Sequence, residues 1–90
     1  METQINYSVR IVLNKRRDRT AKYSKLAEAT LYFGETLKIK HIRIIKNPQN
    51  KIRIDYPINV VCGSKEVTDR INDLILEEFY KVAEKAHYDY

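Results

Sequence analysis

A short basic segment is the part of this 90-residue chain whose residue types point most directly to chemistry. It spans positions 14–22, reads NKRRDRTAK, and lies between two segments with the alternating apolar pattern of strands. Its cations are Lys15, Arg16, Arg17, Arg19 and Lys22. Guanidinium and ammonium groups bind phosphate oxygens, and a hairpin can carry them beyond the edge of a sheet. We therefore expect a phosphate-binding hairpin here; the alternative is a solvated basic tip.

The other cations are distributed unevenly along the chain. The strand-like segments add Lys38, Lys40, Arg43, Lys51 and Arg53, most of them at the parity opposite the apolar residues, which predicts one exposed basic face. Up to Gly63 there are thirteen basic and five acidic residues, a net charge of +8. From Ser64 onward four basic residues face seven acidic ones, a net charge of −3. This asymmetry favours nucleic acid as the partner of the basic half, although lysines on strands also protect sheet edges from aggregation.

Catalytic and metal-binding patterns are not apparent. Cys62 is the only cysteine, and neither it nor His41 and His87 has the spacing of a metal site. Cys62 is either a reactive thiol or a small packing residue, and His41 either a ligand or a strand residue at a bulge. Gly34 and Gly63 are the only glycines, so there is no glycine-rich phosphate cradle. We expect a protein that is not an enzyme, with no cofactor, metal or small-molecule substrate.

The N-terminus predicts where the protein resides. METQINYSVR lacks the apolar core of a signal peptide, and no apolar run approaches the roughly 20 residues that span a bilayer. An unpaired cysteine is typical of a reducing compartment. The sequence therefore predicts a cytoplasmic protein with no membrane partner.

Four segments carry the alternating apolar pattern of half-buried strands, at positions 5–13, 23–33, 36–46 and 51–56. In the third, the alternation changes phase between Ile39 and Ile42, so we predict a β-bulge near Lys40-His41 that restores one apolar face. Positions 58–61 are the candidate for a short fifth strand.

Positions 64–86 show the three- and four-residue spacing of an amphipathic helix that begins at Gly63 or Ser64. Strands first and a helix last predict an α+β fold, an antiparallel meander of four to five strands with one C-terminal helix packed on one face. We expect one domain over residues 1–90, with the sheet within 5–61.

Tyrosines are the residues most open to two interpretations. Tyr7, Tyr23, Tyr32 and Tyr56 fall on predicted strands, where they either stack on bases or pack in the core. Core packing is the commoner role of such residues. Tyr88 and Tyr90 belong to a tail that is expected to be disordered or to pack on a partner.

The segment from Ala27 to Ile45, AEATLYFGETLKIKHIRII, resembles the septation-regulator family SpoVG (stage V sporulation protein G). Members of that family carry a strand, a tight acidic turn and a second strand ending in a motif like H-D-I-R-V-I, which is KHIRII here. Downstream, YPIN at 56–59 is similar to the family's H-P-I-N, and RINDLILEEFY at 70–80 is similar to its C-terminal helix. The family's longer basic loop before H-P-I-N is shortened here, so we expect the first hairpin to grip nucleic acid instead.

This resemblance implies a homodimer assembled through the sheet, binding to DNA or RNA, and a regulatory role in septation or sporulation. Residue by residue it carries over only Arg43 and Arg70. A cation near a helix start is unfavourable for the helix dipole, which favours a contact role for Arg70. The alternative from another class is a protein-interaction module or inhibitor, whose same cations would dock an acidic surface of a larger partner.

Overall fold

The sheet is an antiparallel meander whose strands follow one another along the chain. The computed structural model of the protein describes residues 7–16, 20–57 and 64–90. Within them the strands are β1 (Tyr7–Leu13), β2 (Ser24–Phe33), β3 (Leu37–Lys46) and β4 (Ile52–Asp55), and the helix is α1 (Lys65–Lys85). The sheet order is β1-β2-β3-β4, which confirms the predicted α+β fold. The predicted fifth strand at 58–61 and the start of the first strand lie outside the described residues.

The start of α1 follows from local chemistry. Ser64 has extended backbone angles, and its hydroxyl accepts a hydrogen bond from the Val67 amide at 3.2 Å. This N-cap satisfies one of the amides that a helix start leaves unpaired, and such caps contribute about 1 kcal/mol. Glu66 in the first turn adds a favourable charge near the positive end of the helix dipole. The predicted helix boundary at Ser64 is therefore confirmed.

One face of α1 closes the core against one face of the sheet. The helix residues buried there recur every four positions and are Ile71, Ile75, Phe79 and Ala83. They form one cluster with Leu26, Ala27, Ala29, Leu31, Ile42 and Ile44 of the sheet, and partly buried residues of β1 such as Val9 and Ile11 pack against it. The opposite sheet face is not covered by any described element, and we call it the open face.

The C-terminal tail packs on its own chain, so the prediction of a disordered tail was wrong, while its alternative, packing on a partner, stays a prediction. His87 has a φ of 53°, and the Tyr88 amide donates back to the Ala83 carbonyl at 2.8 Å, which turns the chain sharply at the helix end. The Tyr88 hydroxyl then donates to the Asn14 carbonyl at 2.6 Å. Nζ of Lys46 donates to the Tyr90 carbonyl at 2.9 Å. The tail thus ties the helix to the ends of β1 and β3.

A bulge in β3 sets which side chains share the open face. Leu31 pairs with Ile39 and Ala29 pairs with Ile42, so two steps along β2 correspond to three along β3. The extra residue confirms the predicted bulge near Lys40-His41. Because side chains alternate strictly in a regular strand, this insertion is what brings residues of opposite parity, such as Lys38 and Arg43, to one face.

Substitutions of His41 test whether the stability of the fold depends on the left-handed backbone conformation at this bulge. Its φ is 63°, in the left-handed region, which costs residues with a Cβ about 1–2 kcal/mol and β-branched residues most. We expect His41→Gly to raise the free energy of unfolding by up to about 1 kcal/mol and His41→Val to lower it by about 1–2 kcal/mol. Thermal unfolding measures this, at about 4–8 °C per kcal/mol for a domain of this size.

The matched control for that pair is Lys38, an exposed residue in regular β3. There Lys38→Val should be at least as stable as Lys38→Gly, because extended backbone favours β-branched residues. Equal stability of the glycine and valine variants at position 41 would contradict the assigned backbone conformation.

Candidate nucleic-acid interface

The open face carries more positive than negative side chains. Alternation and the pairing register place there the cations Arg10, Lys25, Lys38, Arg43 and Arg53 and the acids Glu28 and Asp55. The apolar partners of these strands point the other way, toward α1. The predicted basic sheet face is therefore present. The alternation of side chains along the strands, from which it was predicted, is what places these cations on one face.

Both acids of the open face are engaged by neighbouring cations. Asp55 forms an ion pair with Arg43, its cross-strand neighbour on β3. Oε1 of Glu28 lies 3.0 Å from Nζ of Lys25 and 3.9 Å from Nδ1 of His41. The hydrogen bond from Lys25 lowers the pKa of Glu28, against an opposing effect of partial burial. These exposed pairs add little stability, but they partly neutralise Arg43 and Lys25.

Three cations of the open face remain available. Arg10, Lys38 and Arg53 are exposed and have no ion-pair partner among the described residues. They belong to β1, β3 and β4, so they span the width of the sheet. Arg43, which the family resemblance carried over as a contact residue, lies on the same face but is paired with Asp55.

The first basic hairpin and the β3–β4 turn lie at the same end of the sheet. The pairs Ser24–Lys46 and Lys46–Ile52 bring the end of β3 beside the starts of β2 and β4. Exposed Lys15, Arg16, Lys22 and Lys51 therefore lie next to the Arg53 end of the open face. Arg17 and Arg19 lie outside the described residues. The four described cations of these two turns thus extend the basic surface of the open face at this end.

Asparagines hold both of these turns in shape. Nδ2 of Asn14 donates to the Lys25 carbonyl at 2.9 Å, and its Oδ1 accepts from the Arg16 amide at 3.2 Å. In the β3–β4 turn, Oδ1 of Asn47 accepts from the amides of Gln49 and Lys51 at 3.0 and 2.9 Å. Such side-chain bonds to nearby backbone replace missing ladder bonds and fix a turn. The base of each basic turn is therefore preorganised.

Two predicted residues stand apart from this group. Arg70 is exposed on α1, which packs on the other face of the sheet, where it lines a cavity of about 120 Å³ with Tyr7, Leu31 and Leu74. The structure therefore does not bring Arg70 to the open face. Lys40 is exposed at the bulge, beside the residue with left-handed backbone.

The tyrosines divide between the two faces. Tyr7 packs edge-on against Phe33 with ring centroids 5.2 Å apart, and the Tyr56 hydroxyl donates to Oδ1 of Asn72 in α1 at 2.5 Å. Both belong to the helix side. Tyr32 is on the open face opposite Ser8 and Lys38. The parity of β2, in which Tyr32 is out of phase with the buried alanines, is the signal that would have placed it there.

The charge on the helix side is of the opposite sign. The exposed residues of α1 include the acids Glu66, Asp69, Asp73, Glu77 and Glu84. A molecule with a basic face and an acidic back has a strong preferred orientation in the field of a polyanion. Phosphate groups would be drawn to the open face and repelled from α1.

No family model, curated protein or solved structure matches this chain. The resemblance to the SpoVG family stays a prediction. Among the described residues no helix is long and apolar enough to cross a membrane, and no group of three His, Cys, Asp or Glu side chains is close enough to hold a metal ion.

Proposed function

We propose that this protein is a small, cytoplasmic, non-enzymatic regulator of the SpoVG type that binds DNA or RNA through its open face and first hairpin. The observation that carries the proposal is the presence of three exposed cations that have no ion-pair partner among the described residues, on a sheet face that no described element covers. The exposed cations of two preorganised turns continue that surface at one end. Arg70, on the other side of the sheet, has no part in it.

Phosphate contacts are what such a surface supplies. Arg10, Lys38 and Arg53 lie on three different strands, so their positive charges are spread over the open face and are not concentrated at one place. Each contact with a phosphate releases condensed counterions, which makes binding strong at low salt and weak at high salt. Lys38 pairs with Tyr32 near one end of β3 and Arg53 pairs with Ile45 near the other, so the cations extend along the sheet as well as across it.

A homodimer is part of this proposal. β1 and β4 are the outer strands of the described sheet, so each has one backbone edge without a strand partner among the described residues. Edge strands of a small domain are frequent sites of self-pairing. A second copy beside the first would join two open faces into a longer basic surface, and sedimentation of the purified chain measures this directly.

The first test is equilibrium binding to a short duplex and to single-stranded DNA and RNA across a salt series. If about four to six cations contact phosphates, the logarithm of the affinity for the duplex should fall with the logarithm of salt at a slope between about −3.5 and −5.5. No binding to any of these nucleic acids at about 50 mM salt would overturn the proposal. Recovery of one dominant protein from nuclease-treated extract would then favour the interaction module.

A further inference from the structure

Tyr23 occupies a position on the basic surface that its role in the fold does not explain. It precedes β2, is 57% exposed, and lines a hollow of about 300 Å³ together with Ile45, Arg53 and Asp55. Ile45 and Arg53 are cross-strand neighbours on the open face. The hollow therefore opens where the hairpin cations and the open face meet.

Five of the other six tyrosines show what a structural role looks like in this chain, and the sixth, Tyr32, lies on the open face. Tyr7, Tyr56, Tyr80, Tyr88 and Tyr90 each have a ring contact or a hydrogen bond with another side chain or the backbone. Tyr23 makes no such contact with any described residue. An aromatic ring left exposed gains little from the hydrophobic effect, so packing does not account for it.

The lining of the hollow matches the chemistry of a nucleobase beside its phosphate. An exposed aromatic ring offers a face for stacking, and Ile45 offers an apolar floor. The guanidinium of Arg53 binds a phosphate or stacks on a base, while Asp55 is already held by Arg43. A volume of about 300 Å³ is at the small end of ligand sites, suited to a single planar group.

We propose that the hollow at Tyr23 holds one unpaired base, so that single-stranded nucleic acid is the preferred ligand of the open face. This inference rests on the proposed function. A base within a duplex is stacked and paired and does not reach a side chain beside the backbone, whereas an unpaired base swings out and stacks. The surrounding cations then hold the phosphates on either side.

The test compares three ligands by fluorescence anisotropy: a thymidine oligomer of about twelve nucleotides, an abasic strand of the same length, and a duplex. Tyr23→Ala should weaken binding of the thymidine oligomer about tenfold, because stacking contributes about that factor or more for each base. Binding of the abasic strand and of the duplex should change less than about twofold. Tyr23→Phe keeps the ring and should bind the oligomer as the unaltered chain does.

Tyr80→Ala is the control for loss of a ring away from the open face: Tyr80 is 42% exposed on α1, where it contacts Phe79 and Tyr90, and once circular dichroism shows that the variant is folded, its binding of all three ligands should be unchanged. An equal loss on all three ligands for Tyr23→Ala would overturn the inference, because it would mean that Tyr23 only shapes the hairpin. Oligomer binding unchanged in Tyr23→Ala would overturn it too. After either of these two results, the proposed function still stands if the unaltered chain binds the abasic strand and the duplex in a salt-dependent way; only the inference about Tyr23 then fails. If the unaltered chain binds nothing, both fail.

Discussion

Replacing Phe79 by alanine is expected to lower the free energy of unfolding by about 3–5 kcal/mol. The ring is fully buried between α1 and the sheet, and its centroid lies 5.4 Å from that of Tyr90. The substitution removes a large apolar surface, leaves a cavity and weakens the hold on the C-terminal tail. A chain of this length has about 5–13 kcal/mol of stability in total, so a large part of it would be lost. Urea unfolding followed by circular dichroism measures the change.

The control for that substitution is Glu77→Ala, two residues before Phe79 on the exposed side of α1. Its carboxylate lies 3.8 Å from Nζ of Lys81, and both side chains are mostly exposed. Exposed pairs of this kind contribute less than about 0.5 kcal/mol, so this variant should unfold almost as the unaltered chain does. A loss below about 1 kcal/mol for Phe79→Ala would contradict the packing of α1 on the sheet.

Local patterns in the sequence were enough to predict much of the fold. The change of phase between Ile39 and Ile42 predicted the bulge because an apolar strand must keep one face toward the core. Ser64 predicted the helix start because its hydroxyl can accept from the amide three residues on. The helix start depends on a contact between residues three apart, whereas the bulge is imposed by burial against the core but is visible within a few residues of the sequence.

Contacts between distant segments were not predictable in the same way. The pairing of Arg43 with Asp55 depends on the register of β3 and β4, which the turn geometry at Asn47 sets. A second shift of register, between Lys25 and Ala27 of β2, is marked in the sequence only by the adjacent apolar residues Leu26 and Ala27, both of which are buried. The packing of the tail depends on the carbonyl of Asn14, a group that every residue possesses, so no side-chain pattern reveals it.

The assignment of Arg70 shows where the argument from charge was too weak. The unfavourable dipole energy of a cation near a helix start is below about 1 kcal/mol, which is too small to require a ligand. Which sheet face the helix covers is decided by the much larger energy of burying residues such as Ile71 and Ile75. Once α1 covers the apolar face, Arg70 is on the opposite side of the sheet from Arg10, Lys38 and Arg53.

Changing Arg10, Lys38 and Arg53 together to glutamine is expected to reduce affinity for nucleic acid by roughly a hundredfold at about 0.1 M salt. Each phosphate contact contributes about 0.9 to the salt slope on duplex DNA, so three lost contacts should reduce that slope by about 2.7. The three side chains are exposed and have no ion-pair partner among the described residues, so folding should be unaffected. Circular dichroism and thermal unfolding check this before binding is compared.

A matched variant separates position from net charge. Changing Lys65, Arg70 and Lys81 to glutamine removes the same three charges from the α1 side, and there we expect less than about a threefold loss and an unchanged slope. If both variants lose affinity equally, long-range attraction to the whole molecule governs binding and no surface is distinguished. If only the first loses it, phosphates lie on the open face. The bulge at His41 then acquires a functional reason, because it places Lys38 on the face that carries Arg10 and Arg53.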